Sequence, residues 1–204
     1  MEKIKTNIEK WKKRRHDSLN FRRRKRHVEL ARVKAVAKNA LSYLLVIFLA
    51  LILVLAFFYR VKVLGPSMES TVHSGDSVLV DRIRYKISGP HRGDIVAFLP
   101  NGDREAEISI KRVIGLPGEK IQIKNGALYI NNKVYNSDIS NETINHAGLA
   151  ENELKLGKGE YFLLGDNRNN SEDSRYESIG KVTRKELIGK VWLNVTFSNF
   201  GLME

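Results

Sequence analysis

Ser67 is the first residue in the chain whose type and setting suit covalent chemistry. It stands in Gly65-Pro66-Ser67-Met68-Glu69, where glycine and proline restrict the backbone and no regular pattern buries the hydroxyl. Taken alone, this stretch equally marks a serine that forms a turn. A serine nucleophile needs a base to take its proton. The histidines are His16, His27, His73, His91 and His146. His73 is near enough in sequence to be a partner. His91 and His146 sit in turn-like surroundings near Pro90 and Gly148. Glu69 occupies the place two after Ser67, so the Gly-x-Ser-x-Gly elbow is missing. These positions give a Ser-His-Asp triad no support, without excluding one.

Lys111 is the better-placed base. A lysine amine accepts a proton near neutral pH only when burial lowers its pKa by several units. Lys111 lies inside the apolar run Ile108–Ile114, far from any turn. Strand alternation sets Ser109, Lys111 and Val113 on one face and Ile108, Ile110, Arg112 and Ile114 on the other. Lys111 and Arg112 then point to opposite faces, and at least one is expected to be partly buried. The plain alternative is an edge-strand lysine in solvent. A third cluster, Gly165–Tyr176 (GDNRNNSEDSRY), gathers Asp166, Arg168, Ser171, Asp173 and Arg175 after a strand. It reads as a solvated turn, or as a set of side chains that orients a nearby lysine. There is no cysteine, which excludes disulfides, zinc-thiolate sites and cysteine nucleophiles. No metal-ligand cluster is visible, and neither metal nor cofactor is expected.

The elements that must position these residues are short strands divided by turn signals. Ser77–Arg84, Asp94–Leu99, Glu107–Ile114, Lys120–Lys124, Ala127–Ile130, Lys133–Tyr135, Glu160–Leu164 and Ile188–Val195 read as strands. Asn125-Gly126 marks a hairpin between two of them. Only Thr183–Leu187 suggests a helical turn. Residues 136–158 are polar and poorly patterned, and are expected as a surface insertion. The fold class is an all-β domain of mainly antiparallel, curled sheet over 60–204, behind one N-terminal transmembrane helix.

That helix is assigned to residues 39–59. Ala40–Tyr59 holds 20 residues without a charge. At about 1.5 Å per residue it spans roughly 30 Å, the thickness of a bilayer's hydrocarbon core. Tyr43 and Tyr59 fall near its ends, where amphipathic rings favour the interface. A cleaved secretory signal has a shorter apolar run and a shorter basic flank, so a retained anchor is expected. The chain's net charge is +12, with 35 Lys and Arg against 23 Asp and Glu. Residues 1–38 hold 15 Lys/Arg and 4 Asp/Glu, and the rest hold 20 and 19. The basic character therefore belongs to a tail, and a nucleic-acid-binding face on the main domain is unsupported. The positive-inside rule places this tail in the cytoplasm and residues 60–204 outside it. His16 and His27 then lie across the membrane from Ser67.

Taken together, the clusters carry a resemblance. GPSMEST (65–71), GDSVLVDR (75–82), RGDIVAF (92–98), KRVIGLPGE (111–119) and GDNRNNSEDSR (165–175) stand in this order behind an anchor. The sequence resembles the type I signal peptidases (leader peptidases), of Gram-positive-like form, over roughly residues 40–195. The resemblance implies a serine endopeptidase with a Ser-Lys dyad, active on exported preproteins and cutting after small residues. Its partners would be those precursors, the phospholipid membrane and, as a further candidate, the secretion translocon, with no nucleic acid. The location implied is the cell membrane, single-pass. Ser67 would be the nucleophile and Lys111 the base. The Ser67 backbone N–H would hold the oxyanion, with Gly65 where some members carry a second donor. Ser171 falls where a serine hydrogen-bonds the lysine, and Asp166 where an aspartate pairs with Arg112. Asp173 and Arg175 fall on a supporting salt bridge, and Met68 is a candidate substrate or bilayer contact. Ser70 stands where proline is common. The alternatives are a non-catalytic accessory relative and a specialist for one pilus or surface precursor.

Overall fold

The computed structural model describes residues 2–136 and 142–203. The chain divides into two units, 1–54 and 55–204. The first is helical. Helix α1 runs over Glu2–Phe57 and contains the apolar segment Arg32–Val54. Its described side chains are exposed all round, including Leu44, Ile47, Phe48 and Leu51. At about 1.5 Å per residue this segment is long and apolar enough to cross a membrane. The helix stops short of the expected 59. Phe58 and Tyr59, with Arg60-Val61-Lys62, instead form the strand β1 (Phe58–Lys62). Aromatic and β-branched residues suit a strand as readily as a bilayer, and pairing with a neighbour decides the matter here.

The second unit is β-structure. Its larger sheet contains β1, β2 (Ser77–Asp81), β3 (Ile95–Phe98), β4 (Ser109–Gly115), β9 (Glu160–Leu164), β10 (Val182–Thr183), β11 (Leu187–Asn194) and β12 (Gly201–Leu202). The order is β1-β2-β11-β3-β4-β9-β10, with β12 also paired to β11. A smaller sheet orders β7 (Lys133–Val134), β6 (Ala127–Ile130), β5 (Lys120–Lys124) and β8 (Leu154–Lys155). Every pairing is antiparallel, and register shifts in β11 and in the β4–β9 pair curl the larger sheet. The expected strand after Gly75 is cut short, because Arg84–Ile87 closes into the one-turn helix α2. The expected helical turn at 183–187 is a plain turn between β10 and β11.

Three apolar clusters hold this unit together. One gathers Val61, Val63, Val72, Val78, Val80, Ile95, Ile110 and Val191. Another lies on the smaller sheet and gathers Ile114, Ile121, Leu128, Leu156 and Phe162. The third includes Tyr85, Phe98, Leu163 and Val182. Of the expected surface insertion at 136–158, residues 137–141 lie outside the described residues. Residues 142–158 are more than surface. They bury Ile144, Ala150 and Leu156 in the smaller sheet's cluster and supply β8. These apolar residues are spaced too irregularly to show a period, so their burial leaves no pattern in the sequence.

Candidate active site

β4 is an interior strand, flanked by β3 and β9. Both expected basic residues on it are buried, Lys111 at 5% exposure and Arg112 at 2%. Alternation sends them to opposite faces, and each meets a different environment.

Arg112 is neutralised. Its Nε and Nη2 donate to the two Asp166 carboxylate oxygens at 2.9 and 2.8 Å. Its Nη1 donates to the Gly93 carbonyl at 2.6 Å. Thr71 Oγ1 donates to the same carboxylate at 2.6 Å. This buried fork ties β4, the loop after β9 and the segment after Ser67 into one body. Removing either charge would strand the other, at a cost of about 3–5 kcal/mol.

Lys111 has no ion pair among the described residues. Its Nζ lies 2.8 Å from Ser67 Oγ. Burial holds this amine below its ordinary 10.5, against the carboxylates of Asp173 and Glu172, which favour the charged form. A lowered pKa favours the neutral amine, the form that can accept a proton.

The turn that carries the serine is fixed from both sides. Met68 is fully buried in the first apolar cluster, with Val72 beside it. It therefore presents nothing to substrate or bilayer and serves as the plug of the turn, because an unbranched apolar side chain fills an irregular gap well. The Val72 N–H and the Thr71 N–H donate to the Met68 carbonyl at 2.7 and 2.8 Å, closing a helical turn around the plug. Asn167 clamps the other side: its N–H donates to the Ser67 carbonyl at 3.1 Å and its Nδ2 to the Pro66 carbonyl at 3.2 Å. Gly65 enters the turn at φ +76, a left-handed backbone that side chains disfavour.

The loop after β9 is a buried network and not a solvated turn. Asp173 accepts from Arg175 Nε at 2.8 Å and Nη2 at 2.9 Å, from Ser171 Oγ at 2.8 Å and from the Gly165 N–H at 3.1 Å. The Ser171 hydroxyl therefore points to Asp173 and makes no hydrogen bond to Lys111, which differs from the role the resemblance implies. A carboxylate is the stronger acceptor. Arg168 is also buried, donating through Nε to the Gly165 carbonyl at 3.1 Å.

None of His73, His91 and His146 joins the site. His73 and His91 stand exposed beside Asp76 and Asp94, each 3.9 Å away, and His146 stacks on Tyr176. Among the described residues no group of acidic or histidine side chains could hold a metal. Ser67 and Lys111 open onto a cleft of about 370 Å³, lined also by Leu64, Pro66, Ser109 and Ile179. Ser109 and Lys111 share it because alternation puts them on one face. Sequence reasoning misses Thr71, Gly165 and Asn167. All three lie inside the motifs it singles out, but their roles depend on contacts between distant segments.

The fold and this pairing define a β-sheet protein with a serine hydroxyl set against a buried lysine that has no counter-charge. The signal peptidase family, peptidase S26, matches residues 36–196. A probable signal peptidase I-2 of Synechocystis sp. is 35% identical over 63% of this chain, and the match spans 59% of that relative's length. Signal peptidase I P of Bacillus subtilis subsp. natto is 33% identical over 76% of this chain and 89% of its own. Signal peptidase IB of Staphylococcus aureus is 34% identical over 65% and 74%. A crystal structure of a signal peptidase I from Enterococcus faecalis is 34% identical, covering 50% of this chain and 95% of its own, with a TM-score of 0.40. The chain belongs to the signal peptidase family, peptidase S26, a family of hydrolases.

The packing around Gly165 can be tested by adding one methyl group. A Cβ there would collide with Ser171 Oγ and lie 2.5 Å from the Ser67 carbonyl oxygen. Gly165→Ala must therefore push the Ser67 turn away from its clamp. We expect kcat to fall by about 100-fold, the order of loss for a misplacement near 1 Å, in a folded protein whose melting is checked alongside. Lys111→Met should act on stability in the other direction. Because the folded-state pKa of Lys111 is depressed, the unfolded chain binds the proton more readily, and the native state is penalised at neutral pH. Thermal melting should show Lys111→Met more stable than the parent at pH 7, with the gain shrinking as pH rises toward 10.5.

Proposed function

We propose that this protein is a membrane-bound serine endopeptidase that removes N-terminal signal peptides from exported precursors, cutting after small residues. The observation that carries this reading is the 2.8 Å approach of Lys111 Nζ to Ser67 Oγ beside an open cleft. Ser67 Oγ attacks the scissile carbonyl carbon while Lys111 Nζ takes its proton. The tetrahedral oxyanion is held by the Ser67 backbone N–H, with Gly65 beside it. As the C–N bond breaks, Lys111 returns the proton to the leaving amine, and the signal peptide stays on Ser67 as an ester. Neutral Lys111 then takes a proton from water. The resulting hydroxide attacks the ester, and the proton passes to Ser67 Oγ as the peptide leaves.

Asp166 and Arg112, and Asp173 and Arg175, act as positioning pairs that keep the two loops in register. Shallow apolar surfaces from Leu64 and Ile179 suit small side chains of an extended peptide. The apolar segment of α1 is the membrane anchor in this reading. The basic tail before it favours an N-terminus in the cytoplasm and a peptidase unit outside it. The partners are exported preproteins and the phospholipid membrane, with the secretion translocon as a further one.

The test is cleavage of a purified precursor by the full chain in detergent, with product ends read by mass spectrometry. Parent protein should cut after a small residue, while Ser67→Ala and Lys111→Ala lose at least about 1,000-fold in kcat/KM. The rate should rise with pH through the depressed pKa of Lys111, as the amine becomes neutral. Full activity in either variant would remove the dyad from the mechanism.

A further inference from the structure

The cleft beside Ser67 is lined by two ionisable side chains, Lys111 and Glu172. Glu172 reaches it through the local backbone. Ser171 is extended, at φ −139 and ψ 127, so successive side chains alternate. Ser171 and Asp173 turn inward and are buried, while Glu172 between them turns outward and is exposed. Ser178 Oγ donates to Glu172 Oε1 at 2.6 Å and fixes the carboxylate at the cleft wall. Glu172 forms no salt bridge among the described residues, and the cation it acts on is Lys111. Burial disfavours the ammonium form of Lys111, so the exposed Glu172 carboxylate is the charge the cleft offers a substrate.

We infer that Glu172 determines specificity, favouring substrates with a Lys or Arg side chain next to the scissile bond and disfavouring those with Asp or Glu there. This rests on the peptidase reading above. The same carboxylate also bears on the base. Of the groups around Lys111, Glu172 and Asp173 from this loop are charged. Val96 stands opposite on β3, Leu164 on β9 pairs with the adjacent Arg112, and the nucleophile turn supplies Ser67.

The experiment uses the full chain in detergent micelles and precursors that differ only by Lys, Gln or Glu at one position flanking the cut, varied one position at a time. At one or more positions the parent should prefer Lys over Glu by about fivefold in kcat/KM, the scale of a solvent-exposed charge pair. Glu172→Gln should bring that ratio close to one, and Glu172→Lys should reverse it. Glu172→Gln should also move the acid limb of the pH profile to lower pH, a change that a merely structural role would not produce. An unchanged ratio in both variants, with melting like the parent's, would overturn the inference while leaving the peptidase reading intact. A parent that cuts none of the precursors, or a Ser67→Ala variant that cuts them equally well, would overturn both.

Discussion

One amine, kept out of water without a counter-charge, sets the demands on every element around it. A buried lysine is expensive to hold in its charged form, and the ordinary remedy is an ion pair. Here the remedy is withheld. Lys111 faces Ser67, and the nearest carboxylates are occupied elsewhere: Asp173 by Arg175 and Ser171, and Glu172 by Ser178. The penalty on the ammonium form lowers the pKa of the amine, which is what the proposed role as a base requires.

This arrangement requires a rigid frame. β4 carries Lys111 to one face and Arg112 to the other, so one strand supplies both the proposed base and the anchor of its surroundings. The Arg112–Asp166 fork, with Thr71 on the same carboxylate, joins β4 to the loop after β9 and to the Ser67 turn. Met68 plugs that turn into the apolar core, and Asn167 clamps its carbonyls. Arg112 and Arg175 in the frame are thus paired with carboxylates, while Lys111 has no ion pair among the described residues.

Much of this is legible in the sequence. Hairpin chemistry at Asn125-Gly126 and the alternating runs around it locate most strands, and alternation separates Lys111 from Arg112. The short strands β8, β10 and β12 are not legible, because two residues carry no period and depend on their partners for pairing. The end of the apolar helix is ambiguous for a related reason: Phe58 and Tyr59 fit a strand or a bilayer equally well, and β2 decides between them. Sequence does not reveal which way a turn residue points, so the burial of Met68 is visible only in the structure. Nor does it show which acceptor a hydroxyl chooses. The resemblance points Ser171 toward Lys111, whereas the local carboxylate of Asp173 takes its hydrogen bond.

The ionisation of Lys111 can be measured directly. Lysine side chains labelled with carbon-13 would be titrated by NMR in the full chain in detergent micelles, and the Lys111 signal assigned by its loss in Lys111→Met. If burial without a counter-charge makes this amine a base, its signal titrates well below the ordinary 10.5, apart from the exposed lysines. A Lys111 signal that titrates with the exposed lysines would contradict that, because the amine would then be charged at neutral pH and unable to take the proton of Ser67.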